Sequence, residues 1–110
     1  MYQDAVVLCS ASKYTQKFYL NPDFESLPEQ VQQELKIMSV LFTEDVGGII
    51  IFIFDKDGNL TITTEAAEED ILYDEIGAHL VIKRMRSEHR DLFMQLEQYY
   101  RTFFLDQSEE

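Results

Sequence analysis

The chain has 110 residues, of which 45% are apolar, and 21 Asp and Glu face nine Lys and Arg. This length suits one domain with a real core, and we expect residues 1–110 to form it, with a frayed acidic tail at 106–110. The net charge of −12 argues against nucleic acid or an anionic membrane as a partner, because both attract positive surfaces.

Features of the N-terminal residues bear on location. Cys9 is the single cysteine, so an internal disulfide is excluded and nothing indicates an oxidising compartment. The apolar run at residues 5–9 is too short for a signal peptide or a membrane span, and no basic segment precedes it. We therefore predict a cytoplasmic protein.

The first half of the chain predicts a hairpin, or two separate extended segments, followed by a helix. Residues 5–9 and 15–20 are β-prone runs, and the turn residues at 21–23 end the second one. Ser26 and Glu29 have the spacing of a capping box, which predicts a helix start. Apolar residues then recur at helical spacing until Gly47-Gly48, namely Val31, Leu35, Met38 and Phe42, with Val40 and Leu41 beside them.

Residues 49–64 predict a second β-hairpin. In its turn, Asp55 to Gly58, the glycine takes the left-handed conformation that follows a type I turn. The predicted pairs on the core face are Phe54 with Leu60, Phe52 with Ile62, and Ile50 with Thr64. The other face carries Ile49, Ile51 and Ile53 opposite Glu65, Thr63 and Thr61, so the first strand favours cover on both faces.

The C-terminal part predicts one long helix over residues 71–104. Acidic residues concentrate at 68–75, where negative charge suits a helix N-terminus. Two apolar stripes, one of Leu72, Ile76 and Leu80 and one that starts with Ile82 and Met85 and continues to Phe103, differ in phase near residues 77–81. This difference predicts a bend there or, alternatively, a short strand at 80–82. The fold class is therefore α+β: an antiparallel sheet built from two hairpins, with two helices packed on it in the order ββαββα.

Three groups of residues are candidate sites. Asp55, Asp57 and Asn59 have EF-hand spacing, but leucine replaces the loop's required glycine and alanine its final glutamate, so a plain turn is favoured over weak metal binding. Cys9 with His79 or His89 lacks a surrounding motif, so we predict no enzyme and no cofactor. The basic side chains Lys83, Arg84, Arg86 and Arg90 suit a solvated helix face. The alternatives are binding of an acidic partner and pairing with the 68–75 cluster of a neighbouring subunit.

The distribution of apolar residues predicts a homodimer. The helix after the first hairpin uses its stripe to cover one face of the 49–64 hairpin, and the other face retains Ile51 and its neighbours. The C-terminal segment also carries more aromatic side chains than one helix face needs. We expect a two-fold interface that includes Ile51, Tyr100, Phe103 and Phe104. The function expected is a non-enzymatic interaction or regulatory module, with an unidentified protein as a further partner; the alternative is a domain that binds a small ligand or metal through acidic residues near the hairpin turn and the long helix's start.

Seven segments carry a resemblance to known sequences: Val7-Leu8-Cys9, Lys17-Phe18-Tyr19, Leu27-Pro28-Glu29, Glu34-Leu35-Lys36-Ile37-Met38, Thr43-Glu44-Asp45-Val46-Gly47-Gly48-Ile49, Tyr73-Asp74-Glu75-Ile76-Gly77 and Tyr99-Tyr100. Through these segments nearly the whole chain resembles a family of short proteins of unknown function from anaerobic Gram-positive bacteria. The resemblance implies a bacterial protein and assigns no activity or site residue.

Overall fold

The computed structural model describes residues 5–105, so the predicted tail at 106–110 lies outside it. Within this range the strands are β1 (Val6–Ser12), β2 (Lys17–Leu20), β3 (Ile49–Phe54) and β4 (Leu60–Glu65). The helices are α1 (Glu29–Asp45), α2 (Glu75–Glu88) and α3 (Arg90–Tyr100), with a 3-10 turn at Pro22–Phe24 and a π-helical turn at Arg101–Leu105. The α+β class with two hairpins is confirmed, but the order is β-β-α-β-β-α-α, with one helix more than predicted.

The register of the β3–β4 hairpin is the one predicted from its turn. Phe54 pairs with Leu60, and every pair back to Ile49 with Glu65 follows in step. Gly58 has a φ of +85°, in the left-handed region that glycine tolerates best. The Asp55 carbonyl accepts the Gly58 N–H at 3.0 Å, which closes the turn.

The sheet order is β2-β1-β3-β4, with all neighbours antiparallel. β1 is shifted in register between Val7 and Cys9, so it contains a β-bulge at Leu8. Asn21 stabilises this bulge, because its side-chain amide donates to the Val7 carbonyl at 2.7 Å and its backbone N–H donates to the Leu8 carbonyl at 3.0 Å. Leu8 and Cys9 are thereby both buried.

One face of the sheet is covered by two helices instead of α1 alone. α1 packs on β1, β2 and β3, while α3 contacts β4. The Tyr100 ring stacks on Phe54 with centroids 4.2 Å apart, and Phe93 meets Phe52 edge-on at 6.2 Å. Phe93 and Tyr100 are therefore part of the core, because α1 does not cover the whole sheet.

The opposite face of the sheet differs from the expectation of cover on both sides. Ile49, Ile51 and Ile53 are only half-buried and lie outside the buried core of residues 5–105. Thr63 and Glu65 beside them on β4 are exposed. This face of β3 has a row of isoleucines bordered by polar residues.

The C-terminal helix is divided at His89, and the predicted bend at residues 77–81 is wrong. His89 has φ −116° and ψ 30°, so it ends α2 and precedes α3. Residues 80–82 are helical, which also excludes the alternative strand. No change of phase is needed, because α2 packs through Ala78 and Val81 together with Ile82 and Met85 of the second predicted stripe. The first predicted stripe, Leu72, Ile76 and Leu80, is exposed.

Two predicted helix starts are also corrected. α1 begins at Glu29 with Pro28 as its N-cap residue, so Ser26 lies two positions too early for a capping box. The Ser26 hydroxyl pairs instead with the Tyr99 hydroxyl at 2.9 Å. α2 begins at Glu75 and not at residue 71. Asp74 is its N-cap residue, and the Asp74 carboxylate accepts the Gly77 N–H at 3.0 Å.

The acidic segment before α2 is a loop, which runs along one end of the sheet. The Tyr14 hydroxyl donates to Asp70 at 2.6 Å and accepts the Ala67 N–H at 2.9 Å. Farther along, the Tyr73 ring lies so close to Gly48 that a Cβ there would be 2.7 Å from it. These contacts set the position at which α2 begins.

Candidate functional site

The oxygen atoms of the predicted weak metal site are used within the hairpin turn. One Asp55 carboxylate oxygen accepts the N–H groups of Asp57 and Asn59, each at 2.9 Å. These hydrogen bonds, led by that of Asn59, hold the pKa of Asp55 below its ordinary value. Arg101 donates to the Asn59 side-chain oxygen at 2.7 Å and to the Asp57 carbonyl at 3.1 Å. The turn thus docks on the C-terminal π-helical segment.

Within residues 5–105, no group of three or more His, Cys, Asp or Glu side chains is arranged to hold a metal ion. Two acidic residues of the 66–74 loop have other contacts: Asp70 accepts a hydrogen bond from Tyr14, and Asp74 caps α2. Asp70 and Asp74 therefore have structural roles in positioning this loop and the start of α2.

Cys9 lies under α1 at 0% exposure. Burial raises the pKa of its thiol to about 12, although the Ser39 hydroxyl acts in the opposite direction. A thiol of this kind is protonated at neutral pH and is a poor nucleophile. His89 faces Glu34, with 3.3 Å between Nδ1 and a carboxylate oxygen, and the clefts that His89 lines do not include Cys9. His79 is exposed on α2.

The four predicted interface residues occupy three different environments. Tyr100 is 3% exposed in the core, and Phe104 stacks on Tyr100 and Phe24 at centroid distances of 4.8 and 5.0 Å. Phe103 is exposed, and its ring centroid lies 4.9 Å from that of Tyr99. Ile51 lies on the sheet face that points away from these aromatic residues. One continuous surface cannot contain all four side chains.

The largest exposed apolar side chains lie on and just before α2. Leu72, Ile76 and Leu80 are 89%, 75% and 63% exposed. Ile76 and Leu80 lie four residues apart on one side of α2, and Leu72 lies in the loop just before it. We call these three residues the outer stripe. The sequence pattern predicts this stripe without deciding which residues cover it; the high density of acidic residues around Leu72 is a signal that this side faces solvent.

The family model comparison covers residues 5–108 with a family of unknown function, DUF6145. The chain belongs to this family. No curated protein and no solved structure matches the chain. The family match extends over every strand and helix described above.

The basic side chains of α2 have unequal environments. Arg86 donates to the Leu60 carbonyl at 2.7 Å and lies 5.8 Å from the centre of the Phe93 ring, so it has a structural role in the chain. Lys83, Arg84 and Arg90 are exposed, and Arg84 approaches Glu88 at 4.0 Å. The C-terminal end of α2 therefore presents positive charge, whereas the acidic loop precedes its N-terminal end. The helices within residues 5–105 are too short or too polar to cross a membrane.

Proposed function

We propose that this member of DUF6145 is a bacterial, cytoplasmic interaction or regulatory module without catalytic activity, which self-associates as a homodimer. The observation that supports this proposal is the outer stripe. Isolated exposed apolar side chains are ordinary in soluble proteins, but here three of them, at 63–89% exposure, fall within residues 72–80, and a concentration of exposed apolar side chains is typical of interfaces.

The charges on either side of the stripe suit a second copy of the chain. Acidic residues precede and flank it at 68–75, and exposed basic residues follow it at 83–90. A two-fold axis near Leu80 places two α2 helices antiparallel, so that the acidic end of each lies beside the basic end of the other. Burial of the apolar side chains contributes about 25 cal/mol per Å² removed from water.

The open sheet face is a weaker choice for this interface. Its isoleucines are already half-buried within one chain, and exposed Thr63 and Glu65 border them. Burying them against a second chain removes less apolar surface from water than burying Leu72 and Ile76. Ile51 and Phe103 are therefore the comparison surfaces in the test.

Sedimentation equilibrium at micromolar concentration tests the proposal. We expect a mass of twice the 12.9 kDa chain for the unchanged protein and a shift to monomer in Leu80→Lys. Ile37→Lys is the matched control, because Ile37 is a similarly exposed isoleucine on α1, at 56%. The dimer is also expected to weaken at about 1 M salt, where the screening length falls to about 3 Å.

Two results would contradict this account. A mass near one chain for the unchanged protein would remove the homodimer. A dimer that survives Leu80→Lys and Leu72→Lys but dissociates in Ile51→Lys or Phe103→Lys would keep the homodimer and reject the outer stripe.

A further inference from the structure

A cleft of about 420 Å³ lies between the β1–β2 turn and α1. Three lysines line it: Lys13 and Lys17 from the hairpin and Lys36 from α1. They are all the basic residues that precede position 56 in the sequence. Glu44 is the one acidic residue lining the cleft within the described chain. A protein with a net charge of −12 thus gathers positive charge at this place.

Within residues 5–105 the three lysines form no ion pair. Among residues 5–105, the ion pairs involve Lys56, Arg84 and His89, and no carboxylate lies within 4.0 Å of these three ammonium groups. Most acidic residues lie on other elements, and charges farther apart than about 8 Å are largely screened at physiological ionic strength. Asp70 reaches the β1–β2 turn, where its carboxylate accepts the Tyr14 hydroxyl. Strand alternation directs Lys17 to the opposite sheet face from Phe18, so the local potential in the cleft is set mainly by Lys13, Lys36 and Glu44.

The cleft also has a fixed wall and an apolar floor. The Lys13 N–H donates to the Gly48 carbonyl at 2.8 Å, and the Gln16 N–H donates to the Ser12 carbonyl at 2.8 Å, so both ends of the turn are held by backbone hydrogen bonds. Gln16 has a φ of +56°, a conformation that few residues other than glycine adopt. Ala11, Phe18 and Val40 supply apolar surface between the lysines.

We propose that this cleft binds a small organic anion with two or more negative charges, a phosphate ester or a di- or tricarboxylate. The cationic side chains that line it in the described chain are lysines, which act as point charges and do not demand the paired geometry that arginine imposes. The apolar floor suits a compact carbon skeleton. An extended polyanion is disfavoured, because the acidic surface beyond the cleft repels it.

Calorimetric titration of the full chain tests this with inorganic pyrophosphate and, separately, citrate at constant ionic strength. We expect saturable binding at one site per chain by at least one of the two. Tighter binding of pyrophosphate assigns the phosphate class, and tighter binding of citrate the carboxylate class. Lys13→Gln and Lys36→Gln are each expected to weaken binding about tenfold, the usual value of one charged hydrogen bond.

Two further variants calibrate the result. Lys56→Gln changes the net charge equally but lies on the β3–β4 turn, so we expect it to bind like the unchanged protein. Lys17→Gln should have a smaller effect than Lys36→Gln, because strand alternation directs Lys17 to the opposite sheet face from Phe18.

Amide chemical shifts locate the site independently of the dimer interface. Changes centred on residues 11–18 and 36–44 support the proposal. Changes centred on the basic end of α2, at 83–90, overturn it. Binding that neither anion saturates below about 1 mM, or an equal loss in Lys56→Gln and Lys36→Gln, also overturns it. These outcomes for anion binding do not test the homodimer, whose proposed surface is on α2.

Discussion

α1 and α2 carry apolar stripes with the same helical spacing, and the two stripes lie in opposite environments. Leu35 and Phe42 of α1 are buried against the sheet, while Ile76 and Leu80 of α2 face solvent. α2 instead packs through small and medium side chains such as Ala78. Helical spacing shows that an apolar side exists, and the contacts of the neighbouring elements decide whether that side is covered by the same chain.

The largest expected effect tests this difference directly. Phe42→Ala should lower the free energy of unfolding by about 3–5 kcal/mol, because Phe42 is 2% exposed and its removal leaves a cavity. Leu80→Ala should change it by less than about 0.5 kcal/mol in the monomer, because Leu80 has little contact to lose. Urea denaturation at a concentration where the protein is monomeric measures both. Similar losses would show that the outer stripe is covered within one chain.

The next effect concerns the sheet that α1 covers. Gly58→Val should lower stability by about 1–2 kcal/mol more than Lys56→Val, because a side chain at left-handed φ is strained. A Cβ at position 58 would also lie 2.6 Å from the Arg101 side chain, which must then move. Urea denaturation of the two variants compares a glycine that the turn requires with an exposed neighbour. Equal losses would mean that β3 and β4 do not depend on this turn.

The smallest expected effect is zero and concerns the two acidic regions, the β3–β4 turn and the loop before α2. Calcium at about 1 mM should leave the melting temperature unchanged, because the turn lacks the residues that complete a shell of six to eight oxygens. Asp55 already accepts hydrogen bonds from the turn itself. A clear rise in melting temperature would reveal specific binding to the folded chain. Asp55→Asn would then assign the site to the turn or to the loop.

Sequence reasoning succeeded where one short segment determines the structure. The turn from Asp55 to Gly58 fixes the β3–β4 register residue by residue, and the glycine pair after α1 marks its end. It failed where distant elements decide. The second cover over the sheet, α3, depends on packing between Tyr100 and Phe54, which no local pattern reports.

The same limit applies to the candidate sites. The outer stripe was visible as a pattern, but its exposure follows from the side of α2 that meets the core. The lysine cleft was not visible at all, because Lys13 and Lys36 belong to different elements and come together only when the β1–β2 turn lies beside α1. Pro28 shows a local failure: its position at the N-cap displaces the expected capping pair.

The strand order has a consequence for how the chain folds. Each hairpin joins neighbours in sequence, but the centre of the sheet pairs β1 with β3, where Val6 lies opposite Phe54. This pairing encloses β2 and all of α1 in one large loop, so its formation costs more chain entropy than either hairpin. Contacts between distant residues slow folding. We expect the hairpins and α1 to form early and the meeting of β1 with β3 to limit the rate at which the whole sheet is completed.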